Sequence, residues 1–225
     1  ITLQEEVRKF GGKMSFADVF TLLSPLLQQL DYVHKQGIIH RDISPDNIYI
    51  TAKGESRLLD FGAARFASGD GKSVSVILKH GYAPEEQYSS HGNQGPWTDV
   101  YAMGATLYRC ITGQLPPDSI ARIHSDSIKP PTELGAHIPG YAESAIMKAL
   151  SVKTEDRFAN MEGFIRALNG RTPLQDQAAG GSRCERITAS GKTAHKNPIP
   201  QDMAPNQEKP SAVPRLLSYL KANPI

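Results

Sequence analysis

Ile39-His40-Arg41-Asp42-Ile43-Ser44-Pro45-Asp46-Asn47-Ile48-Tyr49-Ile50 sets a carboxylate and a carboxamide five positions apart in a polar loop between two apolar segments. Upstream, Phe16 to Lys35 repeats apolar residues with the period of a buried helix, and downstream Ile48-Tyr49-Ile50 is a short β-rich run. Pro45 cannot continue a helix and biases Ser44 to an extended backbone, so Asp42 and Asn47 converge from a rigid irregular segment. A loop with these properties reads as catalytic.

Working outward, Thr2 is a fair N-cap for a short helix from Leu3 to Phe10 that stops at Gly11-Gly12. Ser15, with Asp18 three positions on, approximates a capping box for the long helix, whose stripe runs Phe16, Val19, Phe20, Leu23, Leu26, Leu27, Leu30 and Val33. Pro25 inside it predicts a local kink. Beyond the loop, Ile48 to Thr51 and Ser56 to Leu59 are predicted to form a β-hairpin that aims Asp60 back at Asp42. Residues 62 to 80 have the composition of a mobile surface loop. Asp99 to Ile111 is apolar on nearly every side and belongs in a core. Further helices are predicted from about Tyr141 to Leu150 and from about Asn160 to Leu168.

The formal net charge is only +2, which gives no nucleic-acid footprint. Residues 171 to 225 carry eight Lys and Arg against four Asp and Glu, and seven of the sixteen prolines. A flexible basic tail is therefore expected after a folded unit ending near residue 170, with one turn of helix at Arg215 to Lys221. Cys110 and Cys184 sit in unlike surroundings and suggest free thiols in a reducing compartment. No apolar run approaches membrane-spanning length, and the first residues do not resemble a signal peptide. The expected location is cytoplasmic, with any membrane anchoring of a full-length protein left to sequence beyond this chain.

His40-Arg41-Asp42, Asn47 five positions after the aspartate, Asp60-Phe61-Gly62 and Ala83-Pro84-Glu85 occur in order, and together they resemble a eukaryotic-like serine/threonine protein kinase of bacterial type. The resemblance covers Ile1 to about Leu168 and implies a mainly α fold, the large C-terminal lobe with a small β-hairpin at the active site. Residues 1–225 contain no Gly-rich loop, Val-Ala-Ile-Lys strand or partner glutamate helix ahead of this lobe, as expected of a fragment. The small lobe is thus expected to be missing, and the isolated chain to be inactive and to bind Mg·ATP weakly or not at all.

The resemblance further implies ATP and Mg²⁺ as cofactors and serine or threonine of proteins as acceptors. Asp42 matches the residue that accepts or orients the proton of the substrate hydroxyl, and Asn47 and Asp60 match the magnesium ligands. Arg41 resembles the arginine that receives an activation-loop phosphate, with Ser68, Ser73 and Ser75 as candidate donors. Glu85 and Arg157 match a buried ion pair at the end of the activation segment. Asp99 matches a carboxylate that hydrogen-bonds the catalytic-loop backbone, and His40, Phe61 and Gly62 complete the structural set. Tyr49 stands where the family has an aliphatic residue beneath adenine.

Two departures go together. The family has lysine two residues after the catalytic aspartate, touching the transferred phosphate and a threonine just before Ala-Pro-Glu. Here Ser44 holds the lysine position, and Ile77-Leu78-Lys79-His80-Gly81-Tyr82 contains no hydroxyl for the threonine. A variant active site is expected in which another cation, Lys79, supplies the charge. A pseudokinase or interaction module is the alternative of a different class. An aminoglycoside-type phosphotransferase is disfavoured by Ala83-Pro84-Glu85 and Arg41, and tyrosine specificity by the absence of Ala and Arg around Ser44-Pro45-Asp46.

Overall fold

Capping residues set where the first helices begin. A computed structural model describes residues 1–59, 65–66, 78–89 and 92–171. Helix α1 (Leu3–Lys9) starts at Thr2, whose hydroxyl accepts from the Glu5 amide at 3.2 Å while Glu5 Oε2 accepts from the Thr2 amide at 2.9 Å. These two bonds satisfy donors that the first helical turn leaves without partners. Helix α2 (Phe16–Lys35) starts at Ser15, which accepts from the Asp18 amide, and it runs unbroken through Pro25. Its stripe is buried as expected except Phe20, which is half-buried and stacks on Phe16 with ring centroids 5.4 Å apart.

Strand β1 (Ile38–Ile39) leads into the polar loop, which closes with a 3₁₀ turn at Pro45–Asn47. Strands β2 (Ile48–Ile50) and β3 (Ser56–Leu58) form the expected antiparallel hairpin, with Ile48 opposite Leu58, Tyr49 opposite Arg57 and Ile50 opposite Ser56. Ile1 extends its edge, since Ile50 donates to the Ile1 carbonyl at 2.7 Å and the Ile1 nitrogen donates back at 3.2 Å. Strand β4 (Arg65–Phe66) pairs antiparallel with β1 inside the stretch expected to be all loop. A two-residue strand has no alternation to read, so its pairing is visible only in three dimensions.

Helix α3 (Pro96–Thr112) begins three residues before the apolar run suggests. Pro96 occupies the first turn, where its missing N–H costs nothing, and Thr98 Oγ1 accepts from the Gly95 amide at 3.2 Å. Among its residues only Pro96, Trp97 and Arg109 are not buried, and Gly113, with φ of 76°, ends it in a left-handed turn. A Cβ at Gly104 would sit 3.0 Å from that of Ala149, so α3 is drawn close against α5 (Gly140–Ala149) at this point. Helices α4 (Ser119–His124) and α6 (Met161–Leu168) complete the set, capped by Asp118 and Asn160. Packing of α2 on α6, α3 on α5 and α5 on α6 gathers the apolar faces into one core.

The described residues fall in one compact unit. Apart from Arg171, the expected tail lies outside the described residues, as do Cys184 and the turn of helix expected at Arg215 to Lys221. Cys110 is a free thiol in the core, pushed up to about 12 by burial, and is no nucleophile at neutral pH. No described helix is long and apolar enough to cross a membrane.

Candidate active site

Asp99 anchors the polar loop from below. It is fully buried in the first turns of α3 and accepts from the His40 amide at 2.7 Å, the Arg41 amide at 2.8 Å and His34 Nε2 at 2.7 Å. Arg41 is the one described non-glycine residue with positive φ, at 72°, a conformation that the surroundings must hold in place. His40 is also buried, and its Nδ1 accepts from the Asp42 amide at 3.3 Å. The loop backbone is thus fixed one residue ahead of the carboxylate it presents.

At the rim, Asn47 Nδ2 donates to Asp42 Oδ2 at 2.7 Å and to the Asp42 carbonyl at 2.8 Å. Both amide hydrogens are used there, which leaves Oδ1 as the remaining polar atom of Asn47. That atom is a hard oxygen donor of the type magnesium takes, so the residue fits the metal role expected of it. Lys79 Nζ approaches from the other side, 3.2 Å from Asp42 Oδ1 and 2.9 Å from Ser44 Oγ. Ser44 is fully buried, whereas the Lys79 and Asp42 side chains keep about a third of their surface in solvent (32% and 28%). Four of the sequence-nominated residues therefore meet at one partly open point. Tyr49 lies on the outer face of the hairpin, where it lines an open hollow of about 500 Å³ with Thr51, Arg57 and Leu59.

The protein kinase domain model matches residues 3–162. The chain belongs to the protein kinase family. It is 31% identical over 229 residues to serine/threonine-protein kinase F of Synechocystis sp., an alignment covering 99% of this chain and 45% of that protein. It is 32% identical over 188 residues to serine/threonine-protein kinase PknB of Mycobacterium tuberculosis, covering 77% and 30%. Similarity to tyrosine-protein kinase MasK of Myxococcus xanthus is 33% over 140 residues, covering 58% and 21%. The chain spans less than half the length of these curated relatives.

The ion pair expected at the end of the activation segment needs one correction. Arg157 does not pair with Glu85 but with Glu86, through Nη1 to Oε1 at 2.8 Å and Nη2 to Oε2 at 3.1 Å. In the 3₁₀ turn Glu85–Gln87, Glu86 is buried and Glu85 is only half-buried. Thr98 Oγ1 adds a hydrogen bond to Glu86 at 2.9 Å, and Arg157 also donates to the carbonyls of Ser151 and Val152 and lies over the Tyr101 ring. Identity of the triplet had favoured Glu85, whereas the inward direction of the turn selects its neighbour.

Asp60, Phe61, Gly62, Ser68, Ser73 and Ser75 lie outside the described residues, so the aim of Asp60 at Asp42 does too. Among the described residues no cluster of three metal-ligating side chains occurs. His34 and Gln87 carry contacts to this site, and Glu86 the contact to Arg157, that the sequence did not single out. Nothing in their local pattern distinguishes them, because each acts on a partner far away in the chain.

Burial alone would push the Asp99 carboxyl up, but the hydrogen bonds from His34 and the His40 backbone outweigh it and hold the group below its ordinary range. A folded value below the unfolded one means that the stabilisation is fully present above about pH 4 and is lost as pH falls through the lower folded value. Asp126, held low first by its hydrogen bonds from Arg122, acts in the same window. Acid unfolding followed by circular dichroism should therefore set in only below about pH 4. Asp99→Asn should be less stable at pH 7 and flatter across that limb.

Proposed function

We propose that the protein carrying this chain transfers the γ-phosphate of ATP to serine or threonine hydroxyls of protein substrates. The observation that carries this reading is the meeting of Asp42, Asn47 and Lys79 around one accessible carboxylate. Asp42 takes the proton of the attacking hydroxyl while that oxygen bonds to the γ-phosphorus and the bond to the β,γ-bridging oxygen breaks, releasing ADP. Asn47 steadies Asp42 through its amide hydrogens, and its own oxygen would be the atom to bind a metal. Asn47 and Asp60 would hold magnesium, which when bound would supply neutralisation of charge on the phosphates. Tyr49 supplies the floor under adenine at the hairpin face, and Arg41 receives an activation-segment phosphate from Ser68, Ser73 or Ser75.

Lys79 stands for the cation that the catalytic loop lacks. In the family pattern the lysine is on the loop and the hydroxyl on the segment; here Ser44 and Lys79 make the contact in the opposite sense, at 2.9 Å. Lys79→Ala should lower kcat by about 10²–10³, the usual cost of removing a charge-stabilising donor from a transfer site. Moving the cation back across the contact, Ser44→Lys with Lys79→Thr, should recover most of that loss. Unchanged activity in Lys79→Ala would remove this lysine from the chemistry.

Serine and threonine are favoured by the names of several relatives and by the residues after Asp42, whereas one relative is named a tyrosine kinase. The deciding test incubates the protein, at the full length in which it carries this chain, with Mg·ATP and a mixed protein substrate. Phosphoamino-acid analysis of the product then reads the acceptor. Phosphoserine or phosphothreonine supports the proposal, phosphotyrosine corrects the acceptor, and no transfer together with no nucleotide binding favours a pseudokinase.

A further inference from the structure

The peptide unit joining Arg41 to Asp42 is held at both of its polar ends. Its N–H donates to His40 Nδ1 at 3.3 Å, and its carbonyl accepts from Gln87 Nε2 at 2.9 Å. This unit directly precedes the Asp42 Cα and follows the strained Arg41, with φ of 72°, so its orientation sets the direction in which the carboxylate leaves the loop. Gln87 reaches it from the 3₁₀ turn Glu85–Gln87 and is itself buried. The turn is fastened from behind by Glu86 on Arg157 and Thr98. Asp99 holds only the amides before this unit, those of His40 and Arg41. The carbonyl side therefore depends on a residue from the segment that also carries Lys79.

We infer that Gln87 is a positioning residue for phosphoryl transfer: it locks the left-handed turn at Arg41 and thereby aims Asp42 at the acceptor hydroxyl. The inference rests on the kinase reading above for its kinetic consequence, but not for its structural one. A misplacement of about 1 Å in such a group costs up to roughly a hundredfold in rate without weakening the binding of a remote substrate part. Gln87 is buried and its amide donates to the Arg41 carbonyl, so its loss should appear in kcat and not in KM for ATP.

The test uses Gln87→Met, which keeps length and apolar bulk but has no donor, and Gln87→Glu, of equal size and without a donor when ionised, as the second variant should the first not fold. Both are made in the full-length protein, assayed with Mg·ATP, and crystallised. The expected result is a fall in kcat of roughly tenfold to a hundredfold with KM for ATP unchanged. The crystal structure should show a rotated Arg41–Asp42 peptide and loss of the 2.7 Å contact between Asn47 and Asp42. A turn unchanged at Arg41, or kcat equal to wild type in the folded variant, overturns the inference. If the wild-type protein transfers no phosphate, the kinase reading fails by itself, and the geometry at Arg41 in the two variants still decides the role of Gln87.

Discussion

Asp42→Asn should lower phosphoryl transfer by about 10²–10⁴ while leaving the thermal midpoint nearly unchanged. The substitution preserves shape and removes the negative charge, and with it both the capacity to take a proton and the ion pair with Lys79. Asp42 keeps 28% of its side chain in solvent and is not part of the core, so little stability is at stake. Asn47 can still donate to the carbonyl of residue 42, at 2.8 Å in the native chain, which keeps the loop closed. KM for ATP should not move, because in the proposed mechanism Asp42 acts on the acceptor hydroxyl and not on the nucleotide. The measurement is kcat with a protein substrate in the full-length protein, beside a melting curve of the same preparation. A variant that retains most of its kcat would show that proton transfer to Asp42 is not part of the rate-limiting chemistry.

Glu86→Ala should destabilise the fold by roughly 3–5 kcal/mol, because it leaves the Arg157 guanidinium buried without its counter-charge. For a unit of this size that is a fall in melting temperature of roughly 6–20 °C. Arg157 has no exit to solvent: its side chain is fully buried, with Nε and Nη2 fixed on the Ser151 and Val152 carbonyls. Glu85→Ala, at the neighbouring half-buried position, should stay within about 0.5 kcal/mol. Replacing both partners, Glu86→Met with Arg157→Met, should cost less than Glu86→Ala alone, since the charge and its desolvation are removed together. Urea titrations of the four proteins check this ordering. Equal costs for Glu85→Ala and Glu86→Ala would return the ion pair to the position that the Ala83-Pro84-Glu85 triplet suggests.

Helices α1, α2, α3, α5 and α6 were legible because their determinants are local. Thr2 and Glu5, Ser15 and Asp18, and the stripe from Phe16 to Val33 all lie within a few turns of the atoms they control. The hairpin was legible for the same reason, from two short runs around Ala52-Lys53-Gly54-Glu55. The meeting of Asp42 and Asn47 was legible as well, since they are five residues apart and Pro45 restricts the backbone between them.

What the described residues do at longer range was decided only by tertiary structure. Adjacent glutamates at 85 and 86 are equivalent in composition, and only the packing of the 3₁₀ turn against α3 determines which of them meets Arg157, 71 positions away. The nomination of Lys79 from the sequence rested on a missing charge, while its contacts with Ser44, 35 positions away, and with Asp42 exist because the segment folds back over the loop. His34 on Asp99 and Gln87 on the Arg41 carbonyl left no local trace at all. Caps and apolar periods are written in neighbouring residues because a helix or a hairpin closes its hydrogen bonds over short spans. A hydrogen bond between distant segments depends on where the whole core brings them, and its two partners carry no pattern that marks them as a pair.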